Sequence, residues 1–141
     1  MTRGYRLIDH TADFGVQVWG RDAAQLFERA AAALMDLLFI TRGMATEREE
    51  MIDVDGRDWA DLMVNWLREL LFLWAGRERV LTHVRVESLN ENRLRAMVGS
   101  AAFDPAAHRL NHEIKAVTYH QVQAGPMADG REWRARVIFD V

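Results

Sequence analysis

The chain has 141 residues, of which half are apolar, with a formal net charge of -3 and no cysteine. That length and apolar fraction suit one hydrophobic core and are too small for two. The charge balance argues against a dedicated nucleic-acid-binding face, which needs a surplus of Lys and Arg. The missing cysteines exclude disulfides, thiolate nucleophiles and Cys-type zinc sites.

The opening Met1-Thr2-Arg3-Gly4-Tyr5 has no apolar run of the signal-peptide kind. The most apolar stretch, Leu62 to Ala75, is interrupted by Asn65, Arg68 and Glu69. It falls short of the roughly 20 apolar residues needed to cross a bilayer. A soluble cytoplasmic protein, independent of membranes, is expected.

In chain order, strands are predicted at Tyr5 to Asp9 and at Phe14 to Trp19, the second from the alternation of Phe14, Val16 and Val18. Asp22, with Gln25 three residues on, marks a helix start of capping-box type. The helix should bury Leu26, Phe27, Ala30, Leu34, Leu37 and Leu38 on one face and end by Gly43. A strand follows from about Glu49 to Asp55. Asp58 is the next N-cap, opening a helix from Trp59 to Ala75 that Gly76 ends. Its Trp59, Trp66 and Trp74 sit at helical spacing and are read as core, not as a stacking platform. Further strands are predicted at Val80 to Leu89, Leu94 to Phe103, Glu113 to Ala124 and Glu132 to Val141, with Asp129-Gly130 turning the last two into a hairpin. In the third of these, Lys115, Val117 and Tyr119 should share one face, and Ile114, Ala116, Thr118 and His120 the other. The expected fold is α+β: two amphipathic helices packed on a mixed, largely antiparallel β-sheet, in a single domain spanning residues 1–141.

Four clusters hold residues capable of chemistry. His10-Thr11-Ala12-Asp13 places an imidazole and a carboxylate in one connection, where a plain Asx- or ST-turn is the commoner use of such residues. Asp140-Val141 offers a carboxylate and the terminal oxygens, hard donors of the kind Ca²⁺ and Mg²⁺ prefer. The apolar run Val137-Ile138-Phe139 should hold them in the sheet. Lys115, flanked by apolar residues, is an anion or partner contact, or a snorkelling lysine. His108 and His112 have the spacing of a helical zinc pair, but Arg109 stands where a zinc peptidase requires Glu. No GxSxG elbow, Walker loop or GxGxxG is present, and no catalytic residue is assigned.

Taken together, these segments resemble the archease family nearly end to end. Tyr5-Arg6-Leu7-Ile8-Asp9-His10-Thr11-Ala12-Asp13 looks like its "HTAD" opening, and Asp61-Leu62 through Asn65-Trp66-Leu67-Arg68-Glu69-Leu70-Leu71 like its central helix. Glu113-Ile114-Lys115-Ala116-Val117-Thr118-Tyr119-His120 matches its "EIKAVTYH" strand, and Val137-Ile138-Phe139-Asp140-Val141 its ending. Trp19-Gly20-Arg21 and the Trp-rich second helix depart from the pattern without touching these motifs. The resemblance implies a non-enzymatic activator of an RtcB-type RNA ligase of tRNA splicing, promoting the ligase's guanylylation and multiple turnover. RNA would be engaged only indirectly. It also implies a divalent metal, calcium with magnesium or manganese as alternatives, held by Asp13, Asp140 and Val141, with His10 and Lys115 as functional residues. Carboxylates converging on one point repel unless a cation offsets them, so a metal makes that cluster coherent. The competing readings are a stand-alone metal-dependent phosphoesterase and a general protein chaperone.

Overall fold

The computed structural model describes residues 4–9, 13–43 and 45–141, apart from the side chains of Asp9 and Asp13. Its strands are β1 (Tyr5–Asp9), β2 (Asp13–Gly20), β3 (Phe39–Thr41), β4 (Arg48–Asp55), β5 (Arg79–Asn90), β6 (Arg93–Ala102), β7 (Arg109–Leu110), β8 (Ala116–Pro126) and β9 (Trp133–Asp140). Its helices are α1 (Ala23–Leu38) and α2 (Trp59–Ala75). The fold class is the expected α+β, but the strands divide into three sheets in the orders β1-β2-β9-β8, β4-β6-β5 and β3-β7. Every strand pairing is antiparallel. Both helices touch both larger sheets: α1 packs on β2, β9 and β5, and α2 on β8, β4, β5 and β6.

That double contact explains why α1 buries more than the stripe its spacing predicts. Besides the expected six residues, Ala31, Ala33 and Met35 are buried. Ala31 and Met35 share the lining of a small cavity with Leu81 and Val84 of β5. Asp22 caps α1 as expected, accepting from the Gln25 amide at 2.8 Å, and the Gln25 side chain in turn accepts from the Arg21 amide. Asp58 does the same for α2 through the Asp61 amide. Each such cap satisfies a helix-end N–H that has no partner within the helix.

α1 ends at Leu38, several residues before the Gly43 limit. Phe39 turns extended, and its ring meets Trp74 edge-on at 4.8 Å. The amides of Asn111 and His112 donate to the carbonyls of Leu38 and Leu37 at 2.8 and 2.9 Å. A distant segment thus satisfies the last carbonyls of the helix, and β3 pairs with β7 beside it. Helical periodicity alone carries no trace of such a long-range stop.

α2 runs over the predicted Trp59–Ala75. Trp66 is fully buried, its indole N–H donating to the Phe27 carbonyl at 3.0 Å, which ties the two helices together. Trp59 and Trp74 pack at the margin of the same core, as the spacing suggested. One continuous apolar cluster joins both helices to the inner faces of the sheets. Val16 and Val18 of β2 and Val137 and Phe139 of β9 belong to it, and all are essentially inaccessible.

Phe139 pairs with Phe14 across β2 and with Val117 across β8. Phe139→Ala is therefore expected to lower unfolding free energy by about 3–5 kcal/mol. Equilibrium denaturation in urea measures this.

Candidate functional site

One end of the four-stranded sheet gathers three of the sequence's candidate segments. β2 and β9 pair over eight positions without a shift, and the pairing starts with Asp13 opposite Asp140. On the other side of β9, Ala116 is the partner of Asp140. The Lys115 amide donates to the Asp140 carbonyl at 2.8 Å. The main chains of Asp13 on β2, Asp140 on β9 and Lys115, just before β8, therefore lie side by side. Residues directly opposite in an antiparallel pair have Cα atoms about 4.5–5.5 Å apart. Residues more than 120 positions apart in sequence become immediate neighbours.

Asp140, Val141 and Lys115 are exposed. His10 and the Asp13 side chain lie outside the described residues. Among the described residues, no three His, Asp or Glu side chains gather in metal-binding proximity.

Lys115 departs from its expected place. The strand begins at Ala116, not Glu113, so Lys115 precedes the alternation that was to set it beside Val117 and Tyr119. Ile114 and Val117, three residues apart, are both buried, while Lys115 is exposed. Further along, β8 bulges. Thr118 pairs with Ile138 but Gln123 with Arg136, so Tyr119–Val122 face the single residue Val137. Gln121 takes a left-handed backbone there, with φ of 52°. Bulges of this kind re-aim side chains at the rim of a sheet.

Here the bulge accompanies a clamp that the sequence did not signal. The Tyr119 hydroxyl donates to Asp61 of α2 at 2.7 Å. The Arg57 amide donates to the same carboxylate at 2.9 Å. One α-helical fourfold and threefold step later, Arg68 donates through two nitrogens to the Val117 carbonyl and lies 4.7 Å over the Tyr119 ring. Asp61 is buried, and these donors hold its carboxyl below the usual carboxylate range, the Tyr119 hydroxyl contributing most. The same bond raises the Tyr119 phenol above its ordinary value. The clamp fixes β8 on α2, and so fixes where Ala116 meets Asp140.

The two histidines of the rejected zinc pair do unrelated work. His108 is buried, accepts from the Asp104 amide through Nδ1 at 2.9 Å and stacks on Phe103. His112 lies against Phe14, the residue after Asp13, with ring centroids 4.3 Å apart. It thus approaches the site from the segment that caps α1. Nothing in its spacing marks it.

Two helices laid on antiparallel sheets, with the first hairpin and the chain's last strand meeting at an acidic edge, define a small α+β protein of distinctive connectivity. The model of the Archease protein family (MTH1598/TM1083) matches residues 5–141. The chain is 33% identical over 141 residues to "Protein archease" of Methanosarcina acetivorans, covering 97% of this chain and 95% of that protein. It is 32% identical over 142 residues to "Protein archease" of Pyrococcus furiosus, covering 99% of each. The solution structure of protein 1598 of Methanobacterium thermoautotrophicum matches with a TM-score of 0.76 at 27% identity, over 99% of this chain and 100% of that one. The chain belongs to the archease family.

The clamp has a pH signature. A carboxyl whose folded pKa is depressed contributes stability that is present above its unfolded value, about 3.9, and lost as pH falls through the folded value. Tyr119→Phe is expected to cost about 1 kcal/mol at neutral pH. The gap between variant and wild type should narrow as the pH drops below the unfolded carboxyl value. Urea titrations at a series of pH values measure both.

Proposed function

We propose that this protein is a cytoplasmic, non-enzymatic activator of an RtcB-type RNA ligase in tRNA splicing, acting through a divalent cation, calcium first, at the edge formed by Asp13, Asp140 and Val141. Family membership supports the activator role. The observation that carries the site is the register that sets Asp13 directly across from Asp140.

Two aspartates at directly opposed positions are unfavourable when nothing offsets their charge. The donor set suits a hard cation: carboxylate oxygens from Asp13 and Asp140 and a main-chain oxygen at Val141. No thiolate competes, because the chain has no cysteine. Bound there, the cation neutralises the opposed carboxylates and presents a positive centre to phosphate oxygens. The chain's own residues build the edge. Val137 and Phe139 anchor β9 in the core, the Lys115 amide holds the Asp140 carbonyl, and Asp140 and Lys115 are exposed, which leaves them available to a partner. His10, in the same connection as Asp13, is assigned to the ligase contact. In this reading the covalent chemistry, guanylylation and strand joining, belongs to the ligase, and RNA is reached through it.

Asp140 is exposed and its side chain carries no part of the core, so Asp140→Ala should fold normally. It is expected to abolish stimulation of the cognate ligase in a multiple-turnover RNA-joining assay and to lose calcium binding by calorimetry. Full stimulation by the variant contradicts the proposal. Turnover of nucleotide or RNA by the protein alone would instead favour the phosphoesterase reading.

A further inference from the structure

On the face of the same sheet opposite the Val16 and Val137 side chains lies a cavity of about 670 Å³, to whose lining Val18 and Ala135 also contribute. That volume falls within the roughly 300–1,000 Å³ typical of sites for whole small molecules. Successive residues of a strand point to opposite faces, so the residues between those buried ones line it. Its floor is a cross-strand row in strict register: Arg6 of β1 beside Gln17 of β2, Gln17 beside Arg136 of β9, and Arg136 beside Gln123 of β8. Arg134 and Trp19, themselves register partners, form the next row.

The charge here runs against that of the chain. The protein carries a net charge of -3, yet three arginines and one carboxylate, Glu132, line this cavity. Glu132 is occupied by Arg134 at 3.2 Å. Arg6 and Arg136 have no carboxylate within ion-pair distance among the described residues. They rest instead on neutral amides: Arg6 on Gln17 at 2.7 Å and Arg136 on Gln121 at 3.2 Å. Arg136 also holds its Nε inaccessible and without a hydrogen-bond partner among the described residues. That Nε is closed off from the cavity, so an anion there would meet the terminal guanidinium nitrogens of Arg6 and Arg136 instead.

We propose that this arginine row binds a nucleotide-type phosphate ester, with the phosphate on Arg6 and Arg136 and the base against Trp19. Planar guanidinium groups suit phosphate oxygens through paired hydrogen bonds. The cavity exceeds what a bare phosphate needs, and an indole wall accommodates a base by stacking. The near-neutral overall charge excludes an extended basic face for duplex or long-strand binding; it leaves room for one local positive pocket. The ligand is either a free nucleotide or the phosphate-bearing end of an RNA strand, the second departing from the indirect RNA engagement proposed above. The site is built from β1, β2, β8 and β9 alone, so it does not depend on the cation or ligase assignments above.

The full ¹⁵N-labelled chain, without added divalent cation or ligase, is titrated with adenosine 5′-monophosphate and with a pentaribonucleotide ending in a 3′-phosphate. Adenosine serves as the control. The proposal expects amide shifts at Gln17, Trp19, Arg134 and Arg136, with no comparable response to adenosine. Arg6→Gln and Arg136→Gln should each weaken binding about tenfold, the equivalent of about 1.4 kcal/mol. Response to the mononucleotide assigns a free nucleotide; response to the pentamer alone assigns a strand end. No shift with either ligand at millimolar concentration overturns the proposal, as does an equal response to adenosine or undiminished binding by the exposed Arg6→Gln variant. That last variant keeps the test decisive if Arg136→Gln fails to fold.

Discussion

The pairing of β2 with β9 is the constraint from which the rest follows. It joins the first hairpin to the last strand along eight consecutive positions. It is secured on its inner face by Val16, Val18, Ala135, Val137 and Phe139, all buried against the helices. A one-residue slip would turn every one of those side chains to the outside and carry Arg136 and Gln17 into the core. The register is therefore set by burial, and the position of Asp13 relative to Asp140 comes with it. The outer face of this ladder carries both candidate features that follow from one packing requirement: the Asp13–Asp140 pair at one end and the arginine row further along.

β8 completes the arrangement. Among the described residues, its pairing with β9 is the one in that sheet with a broken register, and the break coincides with its attachment to α2 through Tyr119, Asp61, Arg68 and the Val117 carbonyl. Two of the stretches that resemble the family, the central helix and the "EIKAVTYH" strand, are thus each other's partners. Their shared role is structural: they hold the start of β8, and with it Lys115, against the end of β9. The bulge has a second consequence, since Gln121 within it reaches Arg136 on the outer face. Any shift of β8 on α2 would be felt at the edge and in the cavity together.

Local pattern carried most of the fold. Alternation located nearly all of the strands, and the Asp22 and Asp58 caps placed both helix starts, because each is written within a few residues. What depended on distant contacts was not legible. The end of α1 is determined by Asn111 and His112, and β3 with β7 exists only because that segment returns. The division into three sheets follows from both helices being covered on two sides, which a single apolar stripe does not announce. At the site, the residue types at Asp13 and Asp140 were suggestive, but only the register makes them neighbours. Lys115 was assigned to a strand it only precedes. The arginine row was invisible for a plain reason: Arg6 lies more than 120 positions from Arg134 and Arg136, and only the sheet brings the three to one surface.

The central claim is that the opposed β2 and β9 ends hold a divalent cation. Titrating the ¹⁵N-labelled protein with manganese tests it directly, because paramagnetic broadening reports distance from the bound ion residue by residue. The account predicts that the amides of Asp13, Lys115, Ala116, Asp140 and Val141 broaden first and together, and recover on addition of excess calcium. Broadening that begins instead at the acidic stretch Glu47–Glu50, or spreads evenly over the surface, would contradict it.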